Sequence, residues 1–144
     1  MRAAGVYRVN RRLIVCSDWQ TVTGLWLQRE PVALPGGAEP EVLGEAILAA
    51  LAGSRQGVPH PARSDWKDQF APFLKAAQVK GYAAFMDGAR YVALREEAGA
   101  LVLEPQRNQG ASGGFEAIEE LSEMLDTGEA AVIGQAVLRL LDVQ

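Results

Sequence analysis

Two ten-residue stretches constrain this chain more than any other feature. "VLGEAILAAL" at residues 42–51 aligns without a gap onto "VIGQAVLRLL" at residues 132–141. Each sets a glycine after two apolar residues and then repeats one apolar stripe at helical spacing. Any two amphipathic helices share such a period, and the matched glycines are what set this pair apart. A glycine inside a helix costs about 1 kcal/mol relative to alanine, so Gly44 and Gly134 mark a packing requirement. The pair is expected to be two related helices, each packed closely against a sheet.

The remaining segments supply that sheet. Residues 6–9 and 13–16 are short β-branched-rich runs separated by "NRR", the pattern of a hairpin. A third strand, 25–27, is closed by Pro31 and the breaker cluster "LPGGAEP". The first helix then runs over 41–52 and stops at Gly53. "SDWKDQFAPFLKAAQ" predicts a helix over 65–77 with Ser64 as N-cap, kinked or divided by Pro72. Residues 90–96 and 100–104 alternate as strands about "EAG" and form a second hairpin. After the loop "PQRNQGASGG", helices are expected over 115–125 and 131–142. Strands, helices, strands, helices in this order predict an α+β fold: a single domain over residues 1–144, with a largely antiparallel sheet of about five strands packed by about four helices.

Composition narrows the function classes. Apolar residues at 49% and charged residues at 22% describe a globular chain rather than a disordered one. The 18 acids against 14 bases give a net charge of -4, which disfavours direct nucleic-acid binding and favours a basic partner. Cys16 is the only cysteine, so no internal disulfide can form. The early apolar run at 13–16 is too short for a signal-peptide core, and no run is long enough to span a membrane. The expected location is cytoplasmic, with no membrane partner.

Catalytic signatures are sparse. No Gly-rich phosphate loop, paired-cysteine metal site or Gly-x-Ser-x-Gly elbow occurs. His60 is the only histidine; general acid–base work with Asp65 is open to it, and metal ligation would need several carboxylates brought in from elsewhere in the chain. Pro59 and Pro61 fix the backbone on both sides, so His60 is expected to shape its loop instead. Cys16 on a strand pattern reads as a small buried apolar residue. Trp26 alternates with Leu25 and Leu27 and is expected in the core or half-core. Trp19 and Trp66 flank breakers; packing is expected for them too, although an exposed tryptophan would be an interface anchor. The expectation is no catalytic centre, no metal and no cofactor.

The acidic segment "FEAIEELSEMLDTGE" carries the clearest binding signal. On a helix over 115–125, Phe115, Ile118, Leu121 and Leu125 share one face, and Glu116, Glu119, Glu120, Glu123 and Asp126 line the other. Like charges at i,i+4 cost an isolated helix a few tenths of a kcal/mol, roughly. The usual meaning of such a run is a solvated face; a stripe that tolerates the repulsion is also a candidate to meet a basic surface.

Several stretches together resemble a known family. "TGLW" at 23–26, "LGEAILAAL" at 43–51, "SRQGVPHP" at 54–61, "PFLKAA" at 72–77 and "EPQRNQGASGGF" at 104–115 occur in one order. That set resembles the immunity proteins of bacterial contact-dependent growth inhibition systems, from about Leu13 to the C-terminus. "SRxGVPHP" and "PxxNxGxxxGF" are its more specific pieces. The resemblance implies a cytoplasmic protein that binds and neutralises the C-terminal toxin domain of a large exported effector, often a nuclease and hence commonly basic. The resemblance marks the scaffold rather than the contact residues, and the acidic stripe, read from the charge pattern, is the toxin-binding candidate. The competing readings are a small hydrolase or nuclease using His60, and a generic adaptor without a toxin.

Overall fold

The computed structural model describes residues 1–126 and 128–144. Strands β1 (Ala3–Val9), β2 (Arg12–Thr21) and β3 (Trp26–Pro35) lead into helix α1 (Pro40–Ala52) and a short strand β4 (Arg55–Val58). A 3-10 helical segment (Arg63–Asp68) precedes α2 (Ala71–Ala77) and α3 (Tyr82–Met86). Then come β5 (Arg90–Glu97), β6 (Ala100–Asn108), β7 (Phe115–Ala117), a 3-10 turn (Glu119–Leu121), β8 (Glu123–Leu125) and α4 (Ala130–Asp142). The sheet order is β3-β2-β1-β5-β6-β7, with β4 beside β2 and β8 beside β6. Every pairing is antiparallel except β2 with β4. The α+β fold and its largely antiparallel sheet match the expectation, with eight strands among the described residues where about five were expected.

The two hairpins form as the sequence predicts. Asn10 and Arg11 link β1 to β2 with φ of 50° and 61°, and Ala98 and Gly99 link β5 to β6 with φ of 50° and 82°. Two residues at positive φ give the turn whose twist matches the flanking strands.

Strand alternation then sorts the core onto two faces of one sheet. Val6, Leu13, Val15, Val92, Leu94 and Leu103 pack under α1 (Leu43, Ile47, Leu51) and α4 (Ile133, Val137, Leu140). Tyr7, Ile14, Cys16 and Tyr91 face the other way, against Phe73 and Ala77 of α2 and Phe85 and Met86 of α3. Cys16 is fully buried, as read from its strand position. No helix among the described residues is long and apolar enough to cross a membrane.

The matched glycines meet a helix, not the sheet. A Cβ on Gly44 would land on the Ala130 carbonyl oxygen, and one on Gly134 would land on that of Pro40. Each glycine meets the residue four positions before the other, so α1 and α4 cross antiparallel with their backbones in contact. The repeated sequence is therefore a repeated contact, one half seen from each helix.

One helix is absent. Residues 115–125 form β7, the 3-10 turn and β8, and both strands pair with β6. Between them the Ile118 amide donates to the Pro105 carbonyl at 2.9 Å. An acid-rich segment with internal like-charge repulsion had little helical stability to offset the free hydrogen-bonding edge of β6. The 65–77 segment is divided as Pro72 required: a 3-10 stretch, then α2 with the proline in its first turn. Strand β4 and helix α3 had no clear periodic signal.

Candidate functional site

The period-two pattern of β2 runs past its apolar stretch and carries an acid onto the aromatic face. Ile14 and Cys16 are buried there, and Asp18 follows two residues later on the same side. It pairs across β2 and β3 with Gln28, and Gln20 pairs with Trp26. The Ser54 hydroxyl donates to the Asp18 backbone carbonyl at 2.6 Å and fixes the strand there.

Beside Asp18 lies a fixed polar relay. Tyr7 Oη donates to Gln28 Oε1 at 2.5 Å, and Gln28 Nε2 donates to Tyr91 Oη at 3.0 Å. The two tyrosine rings lie 4.4 Å apart, and Phe115 sits 5.3 Å from Tyr91. Tyr91 extends over Gly5, where an added Cβ would come within 2.5 Å of its hydroxyl, so this close approach requires glycine. Together with Trp26, Trp66 and Phe70 these residues bound a cleft of about 490 Å³.

The cleft's rim is aromatic and open. Trp26 is 37% exposed, more than the core or half-core place expected of it, and Trp66 is 41% exposed where packing is the expectation and an exposed interface anchor the alternative. Trp26 is the first residue of β3 and lines the open cleft with Trp66 and Phe70, which leaves it part in solvent. Trp19 is half-buried on the opposite face, where its Nε1 donates to the Gly53 carbonyl at 3.0 Å and Arg55 stacks 4.6 Å from its ring.

The proline-flanked loop holds one wall. His60 meets the Trp66 ring edge-on at 5.8 Å, and its Nδ1 shares a 2.9 Å hydrogen bond with Thr23 Oγ1. Thr23 is bonded in turn to Thr21 Oγ1 at 2.8 Å, and the Val22 amide donates to the Val58 carbonyl at 2.9 Å. Asp65 makes no hydrogen bond to the imidazole among the described residues; its carbonyl accepts from Gln69 Nε2 at 3.1 Å. The loop is a brace for Trp66.

Electrostatics mark the cleft floor. Burial pushes the Asp18 carboxyl up to about 7, because no cation among the described residues pairs with it. The Cys16 thiol donates to Asp18 Oδ1 at 4.0 Å. Burial first, then the Asp18 charge, raises the Cys16 thiol, and burial raises Tyr7 and Tyr91. Gln69, on the cleft wall, has a buried Oε1 with no hydrogen-bond partner among the described residues. A larger depression of about 880 Å³ opens elsewhere, but Asn108 on its wall is already bonded to Met86, Ala89 and Gly110. No group of three potential metal ligands comes together among the described residues.

The acidic candidates are not one helical stripe. Glu116 accepts from Gln109 Nε2 at 2.7 Å, and Glu123 is held by both guanidinium nitrogens of Arg139, which lowers its carboxyl. Glu119, Glu120 and Asp126 are exposed and make no ion pair among the described residues. The base that meets Glu123 comes from α4, far along the chain. Asp18, Gln28, Tyr91 and Gln69 were not read as site residues; extending the 13–16 strand by two residues was the available signal for Asp18.

The fold has solved counterparts. A Neisseria meningitidis protein of unknown function superposes with a TM-score of 0.83 at 23% identity, over 99% of this chain and 94% of that one. The toxin and immunity complex CdiA-CT/CdiI from Yersinia pseudotuberculosis contains a chain that superposes with a TM-score of 0.79 at 13% identity, over 99% of this chain and 95% of that chain. No curated protein matches in sequence. The family model of the CDI immunity protein, CdiI, matches residues 8–143, and the chain therefore belongs to the CDI immunity protein family.

Proposed function

We propose that this protein binds and neutralises the C-terminal toxin domain of a contact-dependent growth inhibition effector, protecting the producing cell and its siblings. The observation that carries the reading is the family match along residues 8–143. An exposed aromatic cleft supports it, since exposed tryptophans in a concave site are the usual anchors of a protein interface. The protein acts by stoichiometric binding in the cytoplasm and not as an enzyme. A basic nuclease is the toxin class that suits its net charge of -4. The toxin-contacting acids are Glu116, Glu119, Glu120, Glu123 and Asp126; the unpaired Glu119, Glu120 and Asp126 chiefly accelerate association.

The test is growth rescue. The toxin domain encoded by the neighbouring effector gene is induced in a susceptible bacterium with and without this protein. Rescue, with a 1:1 complex on gel filtration, is expected, and His60→Ala still rescues. Growth arrest that persists beside abundant folded protein, with no complex formed, would overturn the reading.

A further inference from the structure

We propose that the aromatic cleft receives one basic side chain of the toxin, an arginine, whose guanidinium pairs with Asp18 between Trp26 and Trp66. The proposal rests on the toxin-binding reading for the source of the cation.

Two acceptors in one cleft are short of donors: one has a single weak donor and the other has none among the described residues. The Asp18 carboxylate accepts a long 4.0 Å contact from the Cys16 thiol and forms no ion pair among the described residues, and Gln69 Oε1 is buried without a partner among them. Buried acceptors left unpaired are costly, so a ligand that supplies N–H groups gains from both. Arg29 also lines the cleft, but its Nη1 is given to the Gln28 carbonyl at 3.3 Å and it forms no ion pair with Asp18. The partly exposed Trp26 and Trp66 on the cleft rim favour a cation that can also stack. Arginine joins these requirements: a planar fork of five donors, weakly hydrated and permanently charged.

The pairing carries a proton signature. Tyr7, Cys16 and Tyr91, the other titratable groups facing Asp18, are all raised by burial and stay neutral, and Arg29 also lines the cleft. Asp18 alone changes charge in the neutral range. Guanidinium binding holds it ionised, so binding below that range must expel a proton.

The experiment titrates wild type and Asp18→Asn with the toxin domain of the neighbouring effector gene, by calorimetry at pH 8 and pH 6. Removing one partner of a buried charge pair should weaken binding about thirtyfold or more at pH 8. At pH 6 the wild type should release protons, seen as heat that varies with the buffer's ionisation enthalpy, and the variant should release none. A second titration uses argininamide and follows the Asp18 carboxyl carbon of the wild type by NMR; its midpoint should fall below about 7. Equal toxin binding by both proteins, without proton release, overturns the proposal and leaves the immunity function standing. Absence of toxin binding by the wild type, with a shifted Asp18 midpoint in argininamide, overturns the function and keeps the cation site. An Asp18 midpoint unmoved by argininamide and by toxin alike overturns the site.

Discussion

The two faces of the sheet are built for different ends. Under α1 and α4 the core is aliphatic, close to fully buried, and so tight that Gly44 and Gly134 admit no Cβ. Under α2 and α3 the core is aromatic and incomplete: it opens into a cleft that holds a carboxylate, an unpaired amide oxygen and two exposed tryptophans. A closed face tolerates no gap, and its polar groups are already paired, the buried Ser17 hydroxyl with the Ala50 carbonyl at 2.8 Å and the Trp19 Nε1 with Gly53. The open face retains buried acceptors at a cost to stability, and that cost is rational only where a partner supplies the missing donors.

This contrast breaks first at the glycines. Gly44→Ala or Gly134→Ala drives a methyl into a backbone carbonyl that cannot swing aside, and each should cost about 3 kcal/mol in urea unfolding. Toxin affinity per folded molecule should not change, because the strain lies on the closed face.

The open face should respond in the opposite sense. Asp18 has a folded pKa raised to about 7, so the native state holds its proton where the unfolded chain has lost it. Stability contributed by that proton is full at low pH and is lost as pH rises from about 4 to 7. The full linkage is roughly 4 kcal/mol, and partial exposure reduces it to about 2 kcal/mol. Asp18→Asn should therefore be the more stable protein at pH 8 by that amount and equal to wild type near pH 4, as read from urea midpoints. A variant that gains stability while losing toxin binding would separate the two roles sharply.

Smaller effects sharpen the comparison at the rim. Trp66→Ala should alter stability by less than about 1 kcal/mol, since the ring is 41% exposed, yet weaken toxin binding about thirtyfold as an anchor residue. His60→Ala removes only the brace and should lower affinity by a few-fold, roughly, with the same stability. The double variant Glu119→Lys with Glu120→Lys should leave stability within about 0.5 kcal/mol. Stopped-flow should show association slowed by about tenfold at low salt, with the difference shrinking as salt rises.

The closed face was largely legible in the sequence because local patterns specify it. The 3.6-residue stripe and its glycines located α1 and α4 to within a residue, and the two hairpins followed from their turns. What the glycines touch was not legible, since helix–helix contact is a tertiary fact. The open face was harder because its decisive elements depend on the sheet. Residues 115–125 carry a helical stripe, yet β6 captures them as two short strands. Asp18 lies beyond the apolar run 13–16 that marks the strand in the sequence, and only the full ten-residue length of β2 turns it inward. Arg139 meets Glu123 across a separation that no local charge pattern records.

The three tryptophans test the division of labour most directly. Trp26 and Trp66 stand at the cleft, and Trp19 lies on the closed face with its Nε1 bonded to Gly53. In a nitrogen-15 spectrum of the indole groups, titration with the neighbouring gene's toxin domain should move or broaden the Trp26 and Trp66 signals and leave Trp19 in place. A Trp19 signal that moves while the other two stay fixed would put the toxin on the wrong face and contradict the account.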